Sequence, residues 1–160
     1  MPKKKLAVGW FTFTCSEDNT ILFVELLNEH YFEWKEQIEF RHCRQLKTDN
    51  RHGKFDVAFI EGAISTKREE DELKGIRKNS KKLVAVGACA CTGLPAGQRN
   101  SFTPETLKSI KPFLKAHHLR DKVVPLSAIV KVDDSLPGCP MVPQQFLSLL
   151  GRYLIEFKVE

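Results

Sequence analysis

Short apolar runs alternate with amphipathic stretches along most of this chain, and that alternation limits the possible folds more than any other feature. Residues 6–13, a weaker run at 38–43, then 55–60, 83–86, 123–124 and 129–132 have the length and composition of strands. Between them lie helical patterns. Over residues 20–31, Ile21, Leu22, Val24, Leu26 and Leu27 share one broad face, with Asp18 or Asn19 placed to cap its start. At 66–78, Thr66 and Glu69 stand at capping-box spacing ahead of an inward pair, Leu73 and Ile76. Thr103 and Pro104 open a third helix, running to about His117, and a fourth spans about 143–157. Strands alternating with helices imply βαβ units, so the expected architecture is three-layer α/β with a mainly parallel sheet and helices on both faces. The 160 residues fit one domain, 1–160, since a chain of this size buries roughly two-thirds of its unfolded surface. The polar stretch 42–54 reads as a surface loop.

Several function classes are excluded at this level. Apolar residues make up 42% and charged residues 28%, the balance of a folded globular protein. No apolar stretch approaches the roughly 20 residues of a membrane span. The run behind Lys3, Lys4 and Lys5 continues to Cys15 without a small-residue cleavage site, so a cytoplasmic chain is expected. The formal charge of +5 is spread among glutamates and accompanies no nucleic-acid motif; an acidic partner subunit accounts for it equally well.

The cysteines carry the chemistry. Five of them, Cys15, Cys43, Cys89, Cys91 and Cys139, are an odd number in a chain without a secretion signal, which argues for reduced thiols available to a metal. The repeated close pairs of a zinc site are absent. In a parallel α/β sheet, ligands bind where the loops leave the carboxyl ends of the strands. Four segments fall on that edge: Cys15-Ser16-Glu17-Asp18, Glu61-Gly62-Ala63, Gly87-Ala88-Cys89-Ala90-Cys91 and Pro137-Gly138-Cys139-Pro140. Small or rigid neighbours let such backbone approach a compact inorganic cluster and donate N–H groups to its sulfides.

The run Ile60-Glu61-Gly62-Ala63-Ile64, then 83–90 with Gly87-Ala88-Cys89-Ala90, then Arg99-Asn100, then 130–133 leading to Leu136-Pro137-Gly138-Cys139-Pro140, resembles the small subunits of cytoplasmic [NiFe] hydrogenases. More distantly it is similar to the 20 kDa subunit of NADH:ubiquinone oxidoreductase. The resemblance covers residues 6 to about 150. It implies a flavodoxin-like fold, one proximal [4Fe–4S] cluster, and a partner large subunit that carries the nickel–iron site. It also implies that Cys15, Cys89 and Cys139 are cluster ligands and that Glu61 lies near the cluster, with a proton or interface role. At the family's fourth cysteine stands Asp18. The cysteine-rich extension of many small subunits is not expected here, so electrons would pass on to another subunit.

Asp18 leaves alternatives open. Its carboxylate is a harder ligand than thiolate and would favour oxidised iron, but it also suits a helix cap. Cys91 is the alternative fourth ligand, although two thiols one residue apart on extended backbone point to opposite faces. Cys43 reads as an unreactive thiol. A second function class, a scaffold or assembly subunit without a cluster, rests on Asp18 and is opposed by the three retained cysteines. A flavin site is poorly supported, because the first loop lacks a glycine- and hydroxyl-rich phosphate cradle. His117 and His118 read as partners of a helix C-terminus.

Overall fold

Strict alternation of the inward residues in each apolar run decides the layering. The computed structural model describes residues 4–50 and 53–159. Strand β1 (Leu6–Thr12) leads through α1 (Asp18–Gln37) to β2 (Ile38–His42). Then follow β3 (Phe55–Glu61), β4 (Ile64–Thr66), α2 (Lys67–Lys78), β5 (Ser80–Val86), α3 (Gly87–Thr92), α4 (Pro104–Ala116), β6 (Leu119–Val124), β7 (Asp134–Leu136) and α5 (Pro143–Glu156). The main sheet is parallel in the order β2-β1-β3-β5-β7. Counted within that sheet, this is the flavodoxin-like order, whose switch point lies between β1 and β3.

Leu6, Val8, Trp10, Val57, Phe59, Val84 and Val86 face α1 and α5, where Phe23, Trp34, Phe146 and Tyr153 complete an aromatic-rich core. Their alternates, Phe11, Ala58, Ile60, Leu83 and Ala85, meet Leu73 and Ile76 of α2. The three-layer arrangement expected from the sequence is therefore present. The Thr66–Glu69 capping box is formed in both directions, and Thr103 caps α4 ahead of Pro104.

Four expectations are corrected. Neither Asp18 nor Asn19 is the cap of α1: Glu17 occupies the cap position in left-handed backbone, without a side-chain hydrogen bond, and both residues lie inside the first turn. The helix also runs six residues past Tyr31, because Trp34 keeps its inward face buried. Residues 129–132 form no strand. The edge of β5 is taken instead by 134–136, after Asp133 docks on Leu83, donating its N–H to the Leu83 carbonyl at 2.9 Å. The strand around 123–124 exists but pairs antiparallel with β4, outside the main sheet. The loop expected over 42–54 joins β2 to β3, and Arg51 and His52 lie outside the described residues, as does Lys3.

Asp133 fastens the start of β7. Its Oδ2 accepts from the Leu83 N–H at 2.8 Å and from Arg77 Nη1 at 2.5 Å. Burial works against its charged form, but the Arg77 hydrogen bond, the Leu83 N–H and the Arg77 charge outweigh it and hold the carboxyl below its ordinary value. A depressed folded value means that the contribution is complete above the ordinary value of about 4 and is lost as pH falls below it. The urea-unfolding difference between the native chain and Asp133→Asn should therefore be largest near pH 7 and shrink below about pH 4. An equal difference at pH 7 and pH 3 would refute the assignment.

Candidate metal centre

Four loops reach the carboxyl edge of the sheet, and one buried residue ties them together. Asn19, 3% exposed, donates its backbone N–H and its Nδ2 to Glu61 Oε1 at 3.0 and 2.9 Å, and its Oδ1 accepts the Met141 N–H at 2.7 Å. Gly87 lies directly against it: a Cβ there would come within 2.3 Å of Asn19 Nδ2, and the residue has φ +83°. The loops after β1, β3, β5 and β7 thus share one hub. A second tie joins Gly138 to α3, whose Ala88 N–H donates to the Gly138 carbonyl at 2.7 Å. The loops after β1 and β3 are bridged by reciprocal backbone hydrogen bonds between Thr14 and Ala63, at 3.1 and 2.9 Å.

Glu61 is turned inward. Only 1% exposed, it places Oε2 3.2 Å from the Thr20 N–H and 2.5 Å from Thr20 Oγ1, which in turn accepts from Trp10 Nε1 at 2.9 Å. Its carboxylate therefore receives the free N–H groups at the start of α1, a capping task done from a neighbouring strand and favoured by the helix dipole. This burial turns the Glu61 side chain inward, toward the start of α1.

Cys15 is half-buried just before α1, its Sγ accepting the Glu17 N–H at 3.4 Å. Cys89 is buried on α3 and shares a small apolar cluster with Ala63, Val123, Cys15 and Ala96. Cys139 is exposed, with Sγ 3.0 Å from Asp18 Oδ2. The structure thus gathers Cys15, Asp18, Cys89 and Cys139 from three segments far apart in the sequence. Cys91 does not join them. It sits about 200° round α3 from Cys89, with Sγ 3.6 Å from the Ala85 carbonyl and packed on the second core. Cys43 is fully buried in the first core. His117 and His118 follow the C-terminus of α4.

The electrostatics are those of an anionic site. Burial, and after it the Glu61 charge, push the Cys15 thiol up to about 12. The Cys139 thiol is raised first by its hydrogen bond to Asp18. Glu17, Asp18, Glu61 and the neighbouring thiols act on this pair. Among the described residues no three such side chains converge at the range of a single metal ion. Soft sulfur donors, a carboxylate and local negative charge instead suit a larger cationic group that offers each donor its own metal atom.

Asn19 is the residue that sequence reasoning missed. As a cap candidate it resembled any polar residue ahead of a helix; the one local signal was a glycine directly after an apolar strand, at Gly87.

Comparison with known proteins agrees with this fold. A structure titled as an NAD+-reducing [NiFe]-hydrogenase in the H2-reduced state superposes with a TM-score of 0.82 at 26% identity, covering 96% of this chain and 93% of that one. Sulfhydrogenase 2 subunit delta of Pyrococcus furiosus is 30% identical over 153 residues, 91% of this chain and 60% of its own. NAD-reducing hydrogenase HoxS subunit delta of Cupriavidus necator is 30% identical over 100 residues, 52% of this chain and 48% of its own. The chain thus spans about half the length of these curated relatives. The family model described as NADH ubiquinone oxidoreductase, 20 Kd subunit, matches residues 17–153, which takes in Asp18, Asn19, Glu61, Cys89 and Cys139 and stops just short of Cys15. With its sheet order, its loops and most of its length accounted for, this chain belongs to the NADH ubiquinone oxidoreductase 20 kDa subunit family.

Proposed function

We propose that this chain is the electron-transfer subunit of a hydrogenase-type complex, one domain holding a single [4Fe–4S] cluster through Cys15, Cys89, Cys139 and the Asp18 carboxylate. Its partners are a large subunit carrying nickel and iron and further electron-transfer subunits, in the cytoplasm. The observation that carries this reading is the gathering of three thiols and a carboxylate on one sheet edge, with Asp18 Oδ2 3.0 Å from Cys139 Sγ. When bound, such a cluster supplies one-electron transfer.

The chain's own residues do the rest. Burial and Glu61 oppose ionisation of Cys15, so loss of its proton requires positive charge brought into the site. Asp18 accepts the Cys139 S–H, and removal of that proton releases two donors together. Glu61 and Asn19 hold the Cys15–Asp18 turn in register with the other loops, so the donor set is organised before anything binds. Exposed Ile21, Leu94 and Val142, on the segments beside the cysteines, favour an apolar subunit contact around the edge. Among the described residues no cysteine is disulfide-bonded, which suits a reducing compartment, and no helix is long and apolar enough to cross a membrane.

The test is iron and acid-labile sulfide analysis of this chain alone, purified without air. About four of each per chain are expected. None of either would sink the electron-transfer reading in favour of the cluster-free scaffold, to which the carboxylate at position 18 already lends weight.

A further inference from the structure

Helix α4 is poorly supported by its own chain. Of its residues only Leu114 is buried and Leu107 and Ile110 are half-buried, while Phe113 is 57% exposed and the nearby Phe102 41%. Pro112 removes one of its internal hydrogen bonds. A helix of this length is marginal in water without packing. Beneath it, between α4 and β6, lies a cleft of about 400 Å³ with Leu107 and Leu114 in its walls.

Four cations, Arg99, Lys108, Lys111 and Lys122, line this cleft against one acid, Asp121. Among the described residues none of the three lysines forms an ion pair, although salt bridges are common elsewhere on the surface. Arg99 gives Nη2 to the Arg120 carbonyl at 2.7 Å, yet its buried Nε has no hydrogen-bond partner. A desolvated guanidinium short of an acceptor favours a carboxylate nearby.

We infer that the cleft between α4 and β6 is the docking site of an acidic protein segment that inserts an apolar side chain between Leu107 and Leu114. Carboxylates of the segment pair with Lys108, Lys111 and Lys122, and its apolar anchor supplies the packing that α4 lacks. A protein segment fits better than a lipid surface because the apolar walls are recessed: a flat bilayer reaches Phe113 but cannot fill a cleft. Complementary charge of this kind speeds encounter and is weakened by salt. The inference goes beyond the electron-transfer reading and stands whether or not the chain holds iron.

The test uses the full chain, tagged and isolated with its bound subunits from its own cells. A water-soluble carbodiimide, which joins amines to carboxylates without a spacer, should link Lys108, Lys111 or Lys122 to aspartate or glutamate of a bound subunit. Lys108→Glu with Lys111→Glu should abolish those links and slow association with that subunit about tenfold at low salt. The thermal melt of the free chain should stay unchanged, since both side chains are exposed, and Lys108→Arg with Lys111→Arg should restore association. The inference is overturned by links that form elsewhere on the chain and at none of these lysines, or by association indifferent to charge reversal. Sedimentation of the free chain with phosphatidylserine vesicles that the Glu variant alone abolishes, without subunit links, would likewise overturn it and assign the face to lipid. Iron content is a separate readout, so failure here and failure of the cluster reading are told apart.

Discussion

Glu61→Ala is expected to lower the stability of the chain by about 3 kcal/mol, read as a drop in the urea midpoint at unchanged slope. The carboxylate serves two backbone N–H groups and two side-chain donors at the start of α1, and it is sealed from water. Asn19 has Asp18 Oδ1 to fall back on, at 3.0 Å, whereas the Thr20 N–H is left buried and unpaired. Each such orphaned group costs about 1–3 kcal/mol, and the lost interaction with the helix dipole and the emptied volume add to it. Glu61→Gln keeps one acceptor oxygen, so its loss should be about half as large. It should also let the Cys15 thiol titrate lower, seen as faster alkylation near neutral pH, because the Glu61 charge no longer opposes ionisation. A loss below about 0.5 kcal/mol for the alanine variant would refute the anchoring role.

Substitutions at Asp18 should separate ligation from structure more sharply than the sequence allowed. The residue is not the cap of α1, and its local bonds run from Oδ1 to the N–H and Nδ2 of its neighbour Asn19. Asp18→Asn can keep an acceptor in that place, so its structural cost should stay within about 0.5 kcal/mol. An amide is nevertheless a poor iron ligand, so if the proposed cluster is held as we infer, the same variant should open one of its corners and yield a three-iron species by electron paramagnetic resonance. Asp18→Ala should give the same species, and Asp18→Cys an all-thiolate cluster of higher potential. An unchanged spectrum and potential in Asp18→Asn would remove Asp18 from the ligand set. Cys91 could not then replace it without rebuilding α3, since its sulfur faces the Ala85 carbonyl.

The sequence by itself determined the layers and the edge on which chemistry would collect. Alternation of Val8, Trp10, Val57, Phe59, Val84 and Val86 with their neighbours is a local pattern, and it sorts residues to two faces whatever the rest of the chain does. Thr66 with Glu69 and Thr103 with Pro104 are equally local, and both helix starts were legible for that reason. Strand-end loops share an edge by topology, so Cys15, Cys89 and Cys139 could be placed together from the order of elements alone.

Tertiary structure alone decided how that edge is held. The start of α1 takes its cap from Glu61, 42 residues further along the chain, and no spacing rule registers a hydrogen bond across that separation. Asn19 became the hub because Gly87 and Met141 approach it from other strands. Residues 129–132 had the composition of a strand, but the free edge of β5 was claimed by Asp134–Leu136 once Asp133 paired with Leu83 and Arg77. Cys91 was set aside when residues 87–92 wound into a helix that turned it toward the second core. At the start of α1 and at the Asn19 hub, a buried polar group that needed a particular partner settled the outcome.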